Sequence, residues 1–104
     1  MLKVLREIFQ DEVIRKHDRK VLHGLELDFL IYNKKKRRER IAFEYDGEQH
    51  FDKNLYKKLY GDGFEEQVKR DRIKDKLCNK KNIRLIRIKY NEPITKSHIL
   101  KRLK

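Results

Sequence analysis

The sequence predicts a small α/β domain of the α+β type, with its elements in the order α-β-β-α-β-α. Two long segments and a short terminal one have the apolar spacing of helices, two others alternate like strands, and one short run is mostly apolar. The chain has 104 residues, of which 38% are hydrophobic, so we expect a single domain with one modest core over residues 1–104. In chain order the segments are 2–16, 25–32, 40–45, 64–80, 83–90 and 95–103.

The first predicted helix, residues 2–16, carries its apolar side chains on one face and its charges on the other. Those apolar residues are Leu5, Ile8, Phe9 and Val13. The polar run HDRK at 17–20 is typical of a loop. We therefore expect the chain to leave the helix and turn before the first strand.

Two strands follow and are predicted to pair through a hairpin. In residues 25–32, apolar side chains alternate with a second set that includes Asp28, which is the period of a strand. Residues 40–45 are mostly apolar and are expected to form an interior strand that ends near Glu44. The basic run 34–38 falls where the hairpin turn is expected.

The second half of the chain adds a loop, a helix, a strand and a final helix. Residues 51–63 are predicted to be a loop with aromatic anchors. Residues 64–80 predict a strong helix, and residues 83–90 predict a strand. Pro93 breaks the chain, and Thr95 is placed to cap a short last helix. The apolar face of the long helix is predicted to consist of Phe64, Val68, Ile73 and Leu77.

The charge balance predicts a polyanionic partner. The chain holds 29 Lys+Arg against 17 Asp+Glu, a formal charge of +12. Such a field attracts polyanions, of which nucleic acid is the commonest, so DNA is the expected partner. A structural or interaction protein that is basic only for solubility is the alternative. No apolar run is long enough to span a bilayer, so no membrane association is expected.

The cysteine content and the N-terminal segment bear on location. Cys78 is the only cysteine, which excludes an internal disulfide and a cysteine cluster for zinc and favours a small core residue. The segment MLKVLREIFQDEV carries acids and lacks a long apolar block, so we expect no signal peptide. The expected location is cytoplasmic, in a nucleoid or a host-cell interior, and not secreted.

Two carboxylates are predicted to meet at one end of the sheet. If the two strands pair through the hairpin, Asp28 and Glu44 fall at the same end. Close carboxylates raise each other's pKa unless a cation joins them, and Mg²⁺ favours such oxygen ligands. The basic surroundings would hold a phosphate beside the ion. The alternative is that both acids are solvated strand ends or partners in ordinary salt bridges.

Four segments together resemble the small PD-(D/E)XK nuclease domains: GLELDFLIY, AFEYDGEQHF, FEEQVKRDRIKDKLC and IRLIRIKY. The similarity covers about residues 20–90 and is greatest to the branch related to very-short-patch-repair and homing endonucleases. It implies a restriction-endonuclease-like fold, with a mixed β-sheet core flanked by helices. It also implies a DNA endonuclease that depends on Mg²⁺, for which Mn²⁺ can substitute.

The resemblance assigns roles to individual residues. Asp28 resembles the motif aspartate, Glu44 resembles the acid that opens the E-x-K element, and the Tyr45 carbonyl is the implied third metal ligand. The chain departs from the pattern at the next position, where Asp46 stands in place of the catalytic lysine. Lys74, on the following helix, is the expected source of the missing positive charge.

Polar groups beside the motif extend the predicted catalytic set. Similar branches place polar or imidazole groups where Gln49 and His50 stand, and a histidine can act as general base or acid near neutral pH. Asp71, three residues before Lys74 on the same helix, can orient such a group. A structural role is the alternative for His50 and is expected for His17, His23 and His98.

Contacts with DNA phosphates are expected from the basic turn and from the long helix: Lys34, Lys35, Lys36, Arg37, Arg38 and Arg70. Such contacts give affinity without sequence specificity. A homodimer would let two active sites address two strands. Because the E-x-K lysine is missing, the alternative function is a module with a nuclease-like fold that binds DNA without cleaving it.

Overall fold

The computed structural model describes residues 1–36 and 39–104 of the chain. Within these residues the protein is a small α+β domain with a four-stranded mixed sheet and four α-helices. The helices are α1 (Leu2–Ile8), α2 (Lys53–Tyr60), α3 (Phe64–Lys80) and α4 (Lys96–Leu103). The strands are β1 (Val13–Leu22), β2 (Leu25–Tyr32), β3 (Arg40–Asp46) and β4 (Ile83–Lys89).

The sheet has the strand order β1-β2-β3-β4. The first two pairings are antiparallel, and the pairing of β3 with β4 is parallel. A parallel pair needs a long crossover connection, which the chain makes through α2 and α3. The predicted mixed sheet with flanking helices is therefore confirmed.

Each face of the sheet packs against different helices. On one face, Leu5 of α1 and Ile99 of α4 pack against Phe43 and other buried strand residues. On the opposite face, Cys78 of α3 packs with Ala42 and other apolar side chains of the strands. The free thiol of Cys78 is buried, in agreement with its predicted role as a small core residue.

The prediction for residues 9–20 was wrong. The first helix ends at Ile8, and residues 13–22, including the run HDRK, form β1 at the edge of the sheet. Partner strand β2 supplies the pairing that the local sequence does not indicate. Charged side chains are a common feature of edge strands because they discourage pairing with other chains, so a charged run here is compatible with a strand.

The predicted loop at 51–63 contains helix α2, so the predicted element order lacked both β1 and α2. Asp52 caps this helix, because its side chain accepts hydrogen bonds from the backbone N–H groups of Asn54 and Leu55. The helix carries apolar and aromatic side chains on one side, but none of its residues is fully buried. The cap therefore stabilises a helix that has no fully buried side chain.

The predicted helix at 64–80, strand at 83–90 and final helix at 95–103 are confirmed as a helix, a strand and a helix. Helix α3 spans the predicted residues, although Ile73 is exposed and does not belong to its packed face. Strand β4 follows, and the hydroxyl of Thr95 accepts a hydrogen bond from the backbone N–H of His98 at the start of α4. Among the described residues, no helix combines the length and apolar character required to cross a membrane.

Replacing Ile99 tests the packing of α4 against the sheet. The side chain is 0% exposed, so Ile99→Ala is expected to lower the free energy of unfolding by about 2–4 kcal/mol. The neighbouring Leu100 is 40% exposed, and Leu100→Ala is expected to change it by about 0.5 kcal/mol. Urea titrations followed by circular dichroism measure both values. Equal losses in the two variants would contradict the packing described here.

Candidate active site

The face of the sheet beneath α3 collects charged side chains at the ends of β3 and β4. Side chains alternate along a strand, so Ala42, Glu44 and Asp46 share one face of β3. In the parallel register Ala42 lies beside Leu85, and Glu44 lies beside Arg87. The apolar core on this face therefore gives way to charged residues along the same two strands.

Asp28 and Glu44 meet where the regular pairing of β2 with β3 stops. The last registered pair is Phe29 with Phe43. Beyond it, the backbone N–H of Asp28 donates to Glu44 Oε2 at 3.3 Å, and the N–H of Tyr45 donates to Asp28 Oδ2 at 2.8 Å. Each carboxylate is thus fixed by the other residue's strand, which holds the two acids side by side.

Lys74 of α3 reaches the same pair of acids. Its Nζ donates to Glu44 Oε1 at 2.9 Å, and both side chains are largely buried. Burial raises the pKa of Glu44 to about 7, and the contact with the Asp28 carboxyl acts in the same direction, whereas Lys74 opposes both. The ammonium group therefore compensates the buried acid only in part.

Arg87 of β4 organises a second group of charges. Its guanidinium lies 3.2 Å from Asp46 Oδ1 and 2.9 Å from Asp75 Oδ1, and it also donates to the backbone carbonyl of Asp71. Burial raises the pKa of Asp46, although Arg87 opposes the shift. This arginine ties the end of β3 to the middle of α3.

His50 lies on a 3₁₀ turn, Glu48–His50, that follows β3. Its Nδ1 is 3.3 Å from Asp71 Oδ2 and 3.9 Å from Asp46 Oδ1, while Gln67 donates to the other oxygen of Asp71 at 3.1 Å. The hydrogen bond to Asp71 raises the pKa of His50. Because this contact uses Nδ1, proton exchange with a ligand would use Nε2.

These groups line one open cleft with a volume of ≈ 360 Å³. Its walls come from β1, β2, β3, the 3₁₀ turn, α3 and β4. Carboxyl, imidazole and cationic side chains thus share one solvent-accessible space. The charged and imidazole residues of the lining are Arg19, Glu26, Asp28, Glu44, Asp46, His50, Arg70, Asp71, Lys74 and Arg87.

A family model described as a protein of unknown function (DUF2726) matches residues 5–103. The chain belongs to this family. No curated protein and no solved structure matches the chain. The family's description names no activity.

The cleft brings together most of the residues predicted from the sequence: Asp28, Glu44, Tyr45, Asp46, His50, Arg70 and Lys74. Gln49 is not part of its lining, and its side-chain amide lies against Gly47. The exposed basic turn Lys34–Lys36 follows the opposite end of β2 and does not line the cleft either. Arg37 and Arg38 lie outside the described residues.

Two features in or beside the cleft were not predicted from the sequence. Arg87 lies on the same face of β4 as Ile83 and Leu85. The alternation of side chains along the strand could have predicted that Arg87 faces α3. His17, for which a structural role was expected, has a ring nitrogen within 4.8 Å of carboxylate oxygens of Glu26 and Asp28. His17 is therefore an additional candidate metal ligand beside Glu26 and Asp28. It reaches this position only because β1 pairs with β2.

Neutralising Glu44 is expected to stabilise the protein in the absence of metal. Because its folded pKa of about 7 exceeds the ordinary 4.5, the native state loses stability as pH rises from 4.5 to 7. In EDTA at about pH 8, Glu44→Gln should therefore raise the free energy of unfolding by about 1–3 kcal/mol, and at about pH 4 it should change little. Urea titrations at both pH values measure the difference.

The exposed neighbour Glu48 supplies the control for that measurement. Glu48→Gln is expected to shift the free energy of unfolding by about 0.5 kcal/mol at either pH. Destabilisation by Glu44→Gln at the higher pH would mean that Lys74 compensates the Glu44 charge in full, which contradicts the balance derived above.

Proposed function

We propose that the protein is a metal-dependent DNA endonuclease that hydrolyses phosphodiester bonds. The observation that carries the proposal is the pair Asp28 and Glu44, held together in an open cleft with Lys74 on one of their oxygens. The two acids lie on adjacent antiparallel strands, and helices cover both faces of the mixed sheet. Both features support the restriction-endonuclease-like fold that the sequence resemblance implies.

The donor set of the cleft fits a hard divalent cation. Asp28 and Glu44 offer carboxylate oxygens, which Mg²⁺ and Mn²⁺ prefer, and the Tyr45 carbonyl is the proposed third ligand. Burial and the neighbouring Asp28 raise the pKa of Glu44 against the opposing effect of Lys74, and a bound cation would stabilise the charged carboxylate. When bound, such an ion polarises a phosphate oxygen and lowers the pKa of a coordinated water.

Lys74 takes the role that the E-x-K lysine has in the nuclease motif. Asp46 occupies the motif position, but it pairs with Arg87, whereas Lys74 approaches the motif acid Glu44 from α3. From there its ammonium can steady the attacking water and the charge that develops on the phosphate. In this proposal Asp46 acts through Arg87 and His50 as a positioning residue.

His50 is the proposed proton carrier. Asp71 holds its Nδ1, which leaves Nε2 to accept a proton from the attacking water or to donate one to the leaving oxygen. Gln67 fixes the second oxygen of Asp71, so the imidazole keeps one orientation. The arrangement resembles other sites in which a carboxylate orients a catalytic histidine.

DNA is the proposed partner because the chain carries a charge of +12 and its cleft contains cations as well as acids. Arg70 lines the cleft, and the exposed Lys34–Lys36 turn would extend phosphate contacts along the duplex. A homodimer acting on two strands and a cytoplasmic location remain predictions.

A DNA-binding module that does not cleave is the second candidate. Two observations favour it: Asp46 stands where the motif has lysine, and Lys74 already forms an ion pair with Glu44. A strong ion pair would reduce the affinity of Glu44 for a cation. This candidate predicts salt-sensitive DNA binding without products that depend on Mg²⁺.

A plasmid cleavage assay decides between the two candidates. Wild-type protein is expected to nick or linearise plasmid with Mg²⁺ or Mn²⁺ and to be inactive in EDTA. Asp28→Asn and Glu44→Gln are expected to lower the rate by at least about 100-fold, because each removes a ligand charge. The control Glu48→Gln should cleave at the wild-type rate. Cleavage that persists in EDTA and in both variants would refute the proposed site.

The role of Lys74 can be separated from simple DNA attraction. Lys74→Met is expected to lower the cleavage rate by about 100-fold while changing DNA affinity little, because its ammonium acts on the reacting phosphate. Lys76, exposed on the same helix, is the matched control, and Lys76→Met removes the same charge away from the cleft. Equal effects of the two variants on rate would show that only net charge matters.

A further inference from the structure

Two aromatic rings form an exposed pair beside the cleft. Phe51 is 51% exposed and Tyr90 is 43% exposed, and their ring centroids are 6.0 Å apart at an angle of 46°. The Nζ atom of Lys89 lies 5.5 Å from the centroid of the Phe51 ring. The pair therefore presents apolar ring surface and a positive charge to solvent at one place.

Backbone contacts fix this pair at the rim of the cleft. Phe51 directly follows His50, and the backbone N–H of Tyr90 donates to the carbonyl of Asp46 at 2.8 Å. Both His50 and Asp46 line the cleft. A ligand that touches the rings would therefore lie next to residues that line the cleft.

The rings do not serve the packing of the core. In the described part of the chain, neither Phe51 nor Tyr90 belongs to the apolar clusters on the two faces of the sheet. By contrast, the Phe9–Phe43 pair joins α1's end to the buried centre of the sheet. Phe51 and Tyr90 keep about half of their surface in water, which favours a binding role over a packing role.

We infer that Phe51 and Tyr90 form a stacking platform for an unpaired DNA base, and that Lys89 neutralises a neighbouring phosphate. Every base has a π-face that can stack on an aromatic ring, and a cation beside the ring adds attraction for the backbone. Bases within a duplex are already stacked on both faces. The platform therefore selects single-stranded, frayed or otherwise unpaired DNA.

This inference rests on the proposed function for its choice of DNA, and it deepens that function by naming the substrate class. The unpaired base would rest at the end of β3 and β4 while the adjacent phosphate enters the cleft. Binding at the platform requires neither metal nor cleavage. Its failure can therefore be distinguished from failure of the nuclease proposal.

Fluorescence anisotropy in EDTA tests the platform without cleavage. Labelled oligothymidine is expected to bind Phe51→Ala and Tyr90→Ala about 5- to 150-fold more weakly than wild type, because stacking contributes about 1–3 kcal/mol per base. Affinity for a blunt duplex of the same length should change less than about 2-fold, since phosphate contacts dominate there. Lys89→Gln should reduce the salt dependence of oligothymidine binding by about one ion.

Tyr60→Ala is the control, because Tyr60 is an aromatic residue on α2 that is 62% exposed, more than either platform residue. It should bind both DNA forms like wild type. Tyr90→Phe keeps the ring and should restore oligothymidine affinity, whereas Phe51→Leu keeps apolar bulk without the ring and should not. If alanine at either platform position prevents folding, these two variants decide the question. Equal loss for oligothymidine and duplex, or an equal loss in the Tyr60 control, would overturn the inference.

Discussion

The contact between Asp28 and Glu44 is the constraint on which the rest of the site depends. Burying a carboxylate beside another carboxylate is costly, and a protein with 29 basic residues has many ways to avoid it. Here one ammonium, from Lys74, meets one oxygen of Glu44, and the pKa of that acid still lies near 7. A buried acid that lowers the stability of the folded protein in this way is typical of functional sites, where a ligand supplies the compensating charge.

Helix α3 supplies the side chains that partly compensate these buried charges. The parallel pairing of β3 with β4 requires a crossover, and the crossover lays α3 over the face that carries Glu44, Asp46 and Arg87. Residues of α3 spaced by three or four positions then face the sheet in sequence. Gln67, Asp71, Lys74 and Asp75 contact the charged groups, and Cys78 closes the apolar core. Topology, therefore, brings residues far apart in sequence into one charge network.

The sequence was sufficient to predict those helices and strands whose local residue pattern agrees with their packing in the fold. Strands β2 and β4, helix α3 and the capped helix α4 follow their periodicity, and Asp28 and Glu44 meet because the hairpin pairs their strands. Strand β1 was missed because its charged run becomes a strand only through pairing with β2. Helix α2 was missed although its cap at Asp52 was readable. The place of His17 beside the acids follows from β1, so no local pattern could indicate it.

The local charge of the cleft differs from the charge of the whole protein, and under the proposed function this difference would link metal binding to DNA binding. Five carboxyl and four cationic side chains line the cleft, apart from His50, whereas the chain as a whole carries +12. Long-range attraction for a polyanion thus comes mainly from the outer surface, and the acids within would repel a phosphate that enters. A divalent ion held by Asp28 and Glu44 would reverse that local balance. In a site of this composition, cation and phosphate would stabilise each other's binding, as linkage requires of two ligands that favour the same state.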